Sequence, residues 1–532
     1  MPLRWISKMI KQELKELLKQ LFPEETIIID YVPKQKQGDY STNLAFKIAA
    51  RQKKNPYTVA REIAARIKAP LIKDVTVHKP GFINFEIEEK YLLKKLFGEE
   101  PKKAVRQKEK ILVEYVSVNP TGPINIVNAR AAAVGDSLVK VLNATGYEAT
   151  AEYYINDGGR QTELLAESVR QRIIELNGGT PKIPENGYHG EYLINVAKEI
   201  KEKGIEDIKA IKKYSVDFFI NKQKRTLENF GVVFDVWTRE SEIYKKGYVE
   251  KVLTTLQNKE FTYKKDGALF FKASLFGDND DRVIVTSDGR YTYLLPDIAY
   301  HVDKIKRGYD RLIDIWGPDH HGYIPGLVGG IKAVGYSKKI IEVLIVQEVK
   351  LKRDGKVVTM SKRAGTFTTL DDLLEEVPKD VVRFFMLMRS NSQHLEFDID
   401  LALKESDENP VYYVQYAHAR IKSILRKAKE KNFRPNDRFA YDHIKEDEEI
   451  TLVKTILKFP EVLEDAARTR EPYMITYYLI ELARTFHYFY QKLRVLSDDS
   501  ELTQARLALI NKVAETIKQG LDILGVSCPE RM

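Results

Sequence analysis

Three stretches of this chain combine residue types that could handle a phosphorylated substrate. In VEYVSVNPTGPINIVNAR (113–130) a β-prone run stops at a Pro/Gly turn and a helix starts at once. A helix N-terminus offers unpaired backbone N–H groups and a positive dipole end, which suit phosphate. The stretch has neither G-x-G-x-x-G nor P-loop spacing, so dinucleotide and Walker-type readings lose support. KLKRDGKVVTMSKRAGTF (350–367) reads as a basic, glycine-containing loop, in which Lys362 and Arg363 beside Ser361 could grip a triphosphate as point charge and fork. In WGPDHHGY (316–323), two of the nine histidines stand together directly beyond a strand-like run. Ligands of open α/β sheets bind just there. Asp319, His320 and His321 supply too few ligands for zinc, so no metal is expected at that point.

These residues need a scaffold. From Ile111 the chain reads strand (ILVEYVSV), turn, helix (about Asn125 to Ala144), strand (EATAEYYIND) and helix from about Gly159. That is the opening of a nucleotide-binding, Rossmann-like parallel sheet. Strand-like runs return at RVIVTS, RLIDIWG and IEVLIVQEV, after a polar, largely helical insertion at about 170–270. Before it, residues 1–105 read as an α+β unit. Ile10, Leu14, Leu17, Leu18 and Leu21 lie at helical spacing, TIIIDYV reads as a strand, and Asn43 to Ile67 read as helices interrupted near Asn55-Pro56. The charged run 99–110 reads as a linker. From 402 the pattern is almost wholly helical, as in an all-α bundle. The expected architecture is therefore multidomain α/β, divided 1–105, 106–401 and 402–532.

Composition narrows the class. A chain of 532 residues with 43% apolar content can build several cores, which argues against disorder. The net charge of +9 permits a polyanionic partner without requiring one. A single cysteine, Cys528, excludes an internal disulfide and a cysteine-rich zinc site. No signal-peptide pattern or membrane-length apolar run is present, so a cytoplasmic protein without a membrane partner is expected.

Taken together, the motifs resemble those of arginyl-tRNA synthetase, a class I aminoacyl-tRNA synthetase, over essentially the whole chain. GDYSTNLAFKIA (38–49) and GFINF (81–85) look like that family's N-terminal domain. VNPTGP (118–123), YYINDGGRQ (153–161), YHGEY (188–192), TYLLPDIAYH (292–301) and WGPDHHGY look like its catalytic domain. TMSKRAG (359–365) matches its KMSKS-type loop, and SDENPVYYVQYAHARI (406–421) with the terminal PERM (529–532) its helical anticodon-binding domain.

The resemblance implies an arginine–tRNA ligase. Arginine would attack the α-phosphate of ATP, accompanied by Mg²⁺, and the arginyl group would then pass to the 3′ end of tRNA(Arg). In such a family the first step typically requires bound tRNA, and the expected state is a monomer. Carried over residue by residue, the arginine site would be Glu114, Ser117, Asn119, Tyr293 and Asp297, the last two sharing a face if YLLPD is helical. Asn156, Asp157 and Gln161 come with them. The ATP site would comprise Pro120, Gly122, Val127, Asp319, His320, His321, Met360, Ser361 and Lys362. Asn125, Asn128, Lys362 and Arg363 would act on the reacting phosphates. Lys34, Lys36, Tyr40 and Asn43 would meet the tRNA elbow, and Tyr413, Tyr416 and Arg420 the anticodon. FHYFYQKLRVL (486–496) reads as core with a basic rim.

Two motifs depart from the family pattern. The H-x-G-H signature reads Asn125, Ile126, Val127 and Asn128 here, and the loop's first lysine is Thr359. Asparagine still donates through its NH₂ but cannot carry charge. The alternative to a variant active site is a catalytically impaired tRNA-binding paralogue.

Overall fold

The computed structural model describes residues 4–5, 9–33, 36–98, 102–103, 109–358, 369–433 and 441–532. At the N-terminus, the helix Ile10–Leu21 buries Ile10, Leu14 and Leu18. It packs beside a four-stranded antiparallel sheet ordered 29–31, 40–42, 82–87, 72–78. The helices Leu44–Gln52 and Pro56–Ala64 cover that sheet, the second capped by the Asn55 side chain with Pro56 in the first turn.

The centre is a five-stranded, all-parallel sheet. Its strands are β1 (Lys110–Glu114), β2 (Glu148–Ile155), β3 (Val236–Arg239), β4 (Arg311–Trp316) and β5 (Ile341–Ile345), in spatial order β5-β4-β1-β2-β3. The order reverses between β1 and β4, so a cleft opens at their C-terminal ends. Helix α1 (Ile126–Ala144) crosses from β1 to β2 and is buried along most of its length. Helices α2 (Gly159–Leu176) and α3 (Ile208–Asn229) belong to the inserted region, and α4 (Leu294–Lys306) precedes β4. The C-terminal bundle comprises α5 (Pro410–Glu430), α6 (Asp447–Leu457), α7 (Phe459–Thr469), α8 (Tyr473–Lys492) and α9 (Ser500–Leu524).

Three local expectations change. The edge strand β3 lies inside the stretch expected to be inserted and helical; VWTR is too short, among long amphipathic helices, to show a strand period. RVIVTS does not join the parallel sheet. Its residues Arg282–Val285 form the edge of a small antiparallel sheet with 262–265 and 268–271. The basic stretch 350–358 is a hairpin rather than a loop: Val349–Arg353 pairs with Lys356–Val357 around Asp354 and Gly355, both at positive φ. An Asp-Gly pair is what such a two-residue turn favours.

Candidate functional site

The switch-point cleft is a cavity of about 1210 Å³, into which Glu114, Ser117, Asn119, Gly122, Asn125, Val127, Asn128, Tyr293, Asp297, Asp319 and His320 all project. Three separate segments of sequence thus converge on one space. The β1 strand ends at Glu114, and the next turn is sharp: Val116 and Ser117 have φ of 70° and 40°. A β-branched residue rarely adopts such a backbone, which marks a strained turn held by its surroundings. Those surroundings are visible. The Ser117 hydroxyl donates to Glu114 Oε1 at 2.9 Å and accepts the Tyr154 N–H at 3.0 Å. Further on, Gln223 of α3 donates to the carbonyls of Asn119 (3.0 Å) and Gly122 (2.8 Å), and the Tyr153 hydroxyl donates to Val118 O. Gly122 is pressed by the Tyr192 ring, 3.3 Å from where a Cβ would stand.

Asn125 then occupies the position before the first turn of α1, exposed to the cavity, and Val127 is 44% exposed beside it. Met360, Ser361, Lys362 and Arg363 lie outside the described residues, as do Thr359 and Lys34. Thr369 and Leu370, where the described chain resumes, are tied to the site. Thr369 bridges Asn125, and Leu370 N–H donates to Ile124 O at 2.9 Å. Lys352 and Arg353, basic residues of the preceding hairpin, are each paired with an acid, Glu396 and Glu376.

On the opposite wall, YLLPD opens a helix, the condition for Tyr293 and Asp297 to share a face: Tyr293 precedes α4, Asp297 lies in its first turn, and both line the cavity. Burial, with Glu114 and Glu240 nearby, pushes the Asp297 carboxyl up to about 7 against the pull of His301 and Lys304. Burial also raises Glu114, opposed by Lys304. Burial is the largest cause of both shifts.

Other expected residues sit elsewhere. Asp157 does not line the cavity; its carboxylate accepts from Ser241 N–H and hydroxyl and faces Arg239. Asn156 and Gln161 do line it, whereas Pro120 is buried in the turn and His321 is exposed outside the lining. Tyr40 is only 4% exposed, with its hydroxyl on Glu461 of α7 at 3.1 Å. It joins the N-terminal unit to the bundle and does not present its ring to RNA. Asn43 is half-buried beside it in sequence.

A second concavity, of about 990 Å³, lies on the bundle. Tyr416 and Arg420 line it, with the Arg420 guanidinium 4.7 Å from the Tyr416 ring and 5.2 Å from that of Tyr490. Arg426, Lys427, Lys431, Lys492, Arg494 and Arg531 surround them, and no Asp or Glu is among the described lining residues. Tyr413 is behind this surface, packed on the His487 ring. Phe486 and Phe489 are core as expected, but Tyr490 between them and the basic rim faces the groove. Sequence reasoning also missed Gln223, Lys304 and Asp314. The signal for Asp314 was available: a lone acid inside the apolar strand RLIDIW must find a partner.

The parallel sheet with its site at the switch point is that of a class I tRNA synthetase. The family model described as tRNA synthetases class I (R), catalytic domain, matches residues 91–396. A methionyl-tRNA synthetase structure from Mycobacterium tuberculosis shares the fold at TM-score 0.55 and 12% identity, over 78% of this chain and 90% of that one. The flanking regions narrow the assignment: residues 5–87 match the arginyl-tRNA synthetase N-terminal domain and 414–532 the DALR anticodon-binding domain. The chain belongs to the arginyl-tRNA synthetase family. It is 43% identical to the arginine–tRNA ligase of Bacillus subtilis over 99% of both chains, and 42% identical to that of Anoxybacillus flavithermus over 99% of this chain and all of the other. The arginyl-tRNA synthetase of Thermus thermophilus superposes at TM-score 0.80, with 24% identity over 98% of this chain and all of that one.

Proposed function

We propose that the protein is an arginine–tRNA ligase that forms arginyl-adenylate from L-arginine and ATP and transfers the arginyl group to the 3′ end of tRNA(Arg). The observation that carries this reading is the convergence of Glu114 and Asp297 on the cavity that also receives the N-terminus of α1. A guanidinium is a planar fork of donors, and two carboxylates on facing walls are its complement. Ser117 and Asn119, at the strained turn, would orient the amino-acid end. The α-carboxylate oxygen then attacks the α-phosphorus in line, the bond to the bridging oxygen breaks, and pyrophosphate leaves. Asn125 and Asn128 would donate their amide hydrogens to the reacting phosphates, assisted by Lys362 and Arg363. Gly122, Val127, Asp319 and His320 would contact the nucleotide. The work is positioning and charge stabilisation, with no covalent enzyme intermediate.

Mg²⁺ would travel on the ATP phosphates and water, since the cavity offers scattered amides, hydroxyls and single carboxylates as donors. Unpaired RNA bases are held by aromatic stacking and backbone phosphates by cations, so the groove of Tyr416, Arg420 and Tyr490 would take the anticodon. Domain boundaries near 105 and 402, a monomeric state and a cytoplasmic location complete the proposal. Among the described residues no helix is long and apolar enough to cross a membrane.

Arginine-dependent ATP–pyrophosphate exchange, with and without tRNA(Arg), tests the reading. The triple variant Asn125→His, Val127→Gly, Asn128→His runs alongside. Exchange in the native chain with tRNA present is the expected result. Exchange absent under both conditions, with tRNA still bound, would make the protein an impaired paralogue, and recovery in the variant would locate the defect on α1.

A further inference from the structure

The register of the parallel sheet sets acids abreast. Asp314 on β4 pairs with Glu114 on β1, and Glu114 pairs with Glu152 on β2. Residues in register on neighbouring parallel strands share a face, so three carboxylates form a row. Like charges side by side and out of water need cations. Helix α4 supplies them. Positions 297, 301, 304 and 307 recur at one-turn spacing along its inner face and at its end. Arg307 takes Glu152, which also accepts from the Thr238 hydroxyl. Arg307 is in turn paired with Asp303.

Lys304 takes the other two acids. Its ammonium is 2.5 Å from Glu114 Oε2 and 2.9 Å from Asp314 Oδ1, stands 4.3 Å above the Tyr300 ring, and is wholly buried. His301 Nε2 lies 2.6 Å from Asp314 Oδ2, and its Nδ1 is 2.7 Å from the Asp297 carbonyl oxygen. Lys304 does not line the cavity, whereas Glu114 does. Glu114 therefore has one oxygen on the Ser117 hydroxyl and the other on Lys304, and its remaining lone pairs face the cavity.

We infer that Lys304, anchored by Asp314, is a positioning residue for arginine binding: it fixes the Glu114 carboxylate at the strand end, while Asp314, held on its other oxygen by His301, shares the Lys304 ammonium so that Glu114 is not its sole partner. This rests on the arginine-pocket reading above. The charged groups facing Glu114 are Lys304, Asp314 and Glu152, and those facing Asp297 are His301, Glu114, Glu240 and Lys304. Burial alone would lift Asp314, but Lys304 and His301 hold it well below the usual carboxylate range. That is consistent with a permanent anchor rather than a titrating one.

Two variants of the full chain, assayed for aminoacylation of tRNA(Arg) between pH 6 and 9, separate this role from a merely structural one. Lys304→Met leaves Glu114 without its buried cation, so burial favours its protonated form, while Asp314 keeps His301. The arginine KM should rise about tenfold at pH 7, the scale of a lost charge-assisted hydrogen bond, and recover toward pH 9 as that proton leaves. Asp314→Asn takes one acid from Lys304 and leaves its ammonium to Glu114 alone, so the arginine KM should rise at every pH. The ATP KM should stay within twofold in both. If either variant folds and keeps the native arginine KM, or raises the ATP KM equally, the inference is overturned. Should Lys304→Met not fold, the nearly isosteric Asp314→Asn decides alone. Glu114→Gln is measured in parallel. An unchanged arginine KM there refutes the arginine pocket itself; a raised one, with both other variants native-like, refutes only the role of Lys304.

Discussion

At the scale of single residues, Asp297 ties the proposed chemistry to pH. Its carboxyl, pushed up to about 7 first by burial and then by Glu114 and Glu240, is neutral below that value and ionised above it. A guanidinium binds the anion, so arginine affinity should improve as pH rises from 6 to 8 and then level off. Binding near pH 7 should also release a proton, readable by calorimetry in buffers of different ionisation heat. Asp297→Asn should abolish the pH dependence and weaken arginine binding by about 10- to 100-fold, the value of a hydrogen bond to a charged group. A native arginine KM flat across pH 6 to 8 would refute this. Glu114, Ser117, Asn119, Tyr293 and Asp297 were brought together at the sequence level by the resemblance of their motifs to the family pattern, and all five line one cavity. Lys304 was not among them. In DKIKRG a lysine reads as solvated, and only the register of three strands reveals that acids wait beneath it.

At the scale of elements, the N-terminus of α1 faces the cavity because α1 lies close on the sheet. Gly135 permits that approach: a Cβ there would fall 2.2 Å from the Tyr115 ring. Both Gly135 and Tyr115 are buried, and neither can yield without shifting helix or strand. Gly135→Ala should destabilise the protein by about 1–3 kcal/mol, as overpacked cores do. It should also raise the ATP KM by tilting Asn125 and Asn128, while leaving tRNA affinity unchanged. Chemical denaturation and steady-state kinetics check the two parts, and a variant as stable as the native chain would show that the helix has slack. The strands β1, β2, β4 and β5 and the helix α1 were legible because long apolar runs and turn residues bound them. Strand β3 was not, since four residues flanked by helices carry no period, and RVIVTS was read as one more sheet strand because pattern alone does not reveal which sheet a strand joins.

At the scale of the whole molecule, the N-terminal unit and the bundle are locked together, and the basic groove is built on that frame. Glu461 of α7 accepts from the Tyr31 and Tyr40 hydroxyls and the Lys11 N–H, while Lys11 pairs with Asp465 and Lys454 with Asp39. Arg130 of α1 donates to the carbonyls of Gln347 and Gln393 and to those of Arg389 and Ser390. The Ser390 hydroxyl and Asn391 N–H in turn donate to Glu471, just before α8. Helix α8 carries Tyr490 and Lys492 into the basic groove, with Arg494 just beyond its end, so the groove is held at a set distance from the switch-point cavity. If it binds tRNA, it does so largely by releasing counterions from phosphates. Each lost cation should then lower the slope of log affinity against log salt by a little under one. Arg494→Ala is expected to weaken tRNA binding about 3- to 10-fold at low salt and to reduce that slope by one contact. Arg420→Ala should do the same and, by freeing the rings of Tyr416 and Tyr490, also weaken binding that persists at high salt, where stacking is what remains. Filter binding of tRNA(Arg) from low to high salt separates the two effects. Equal slopes in native and both variants would move the RNA contact away from this groove, whereas a slope change in Arg494→Ala alone would leave Arg420 as a spacer between the two tyrosines.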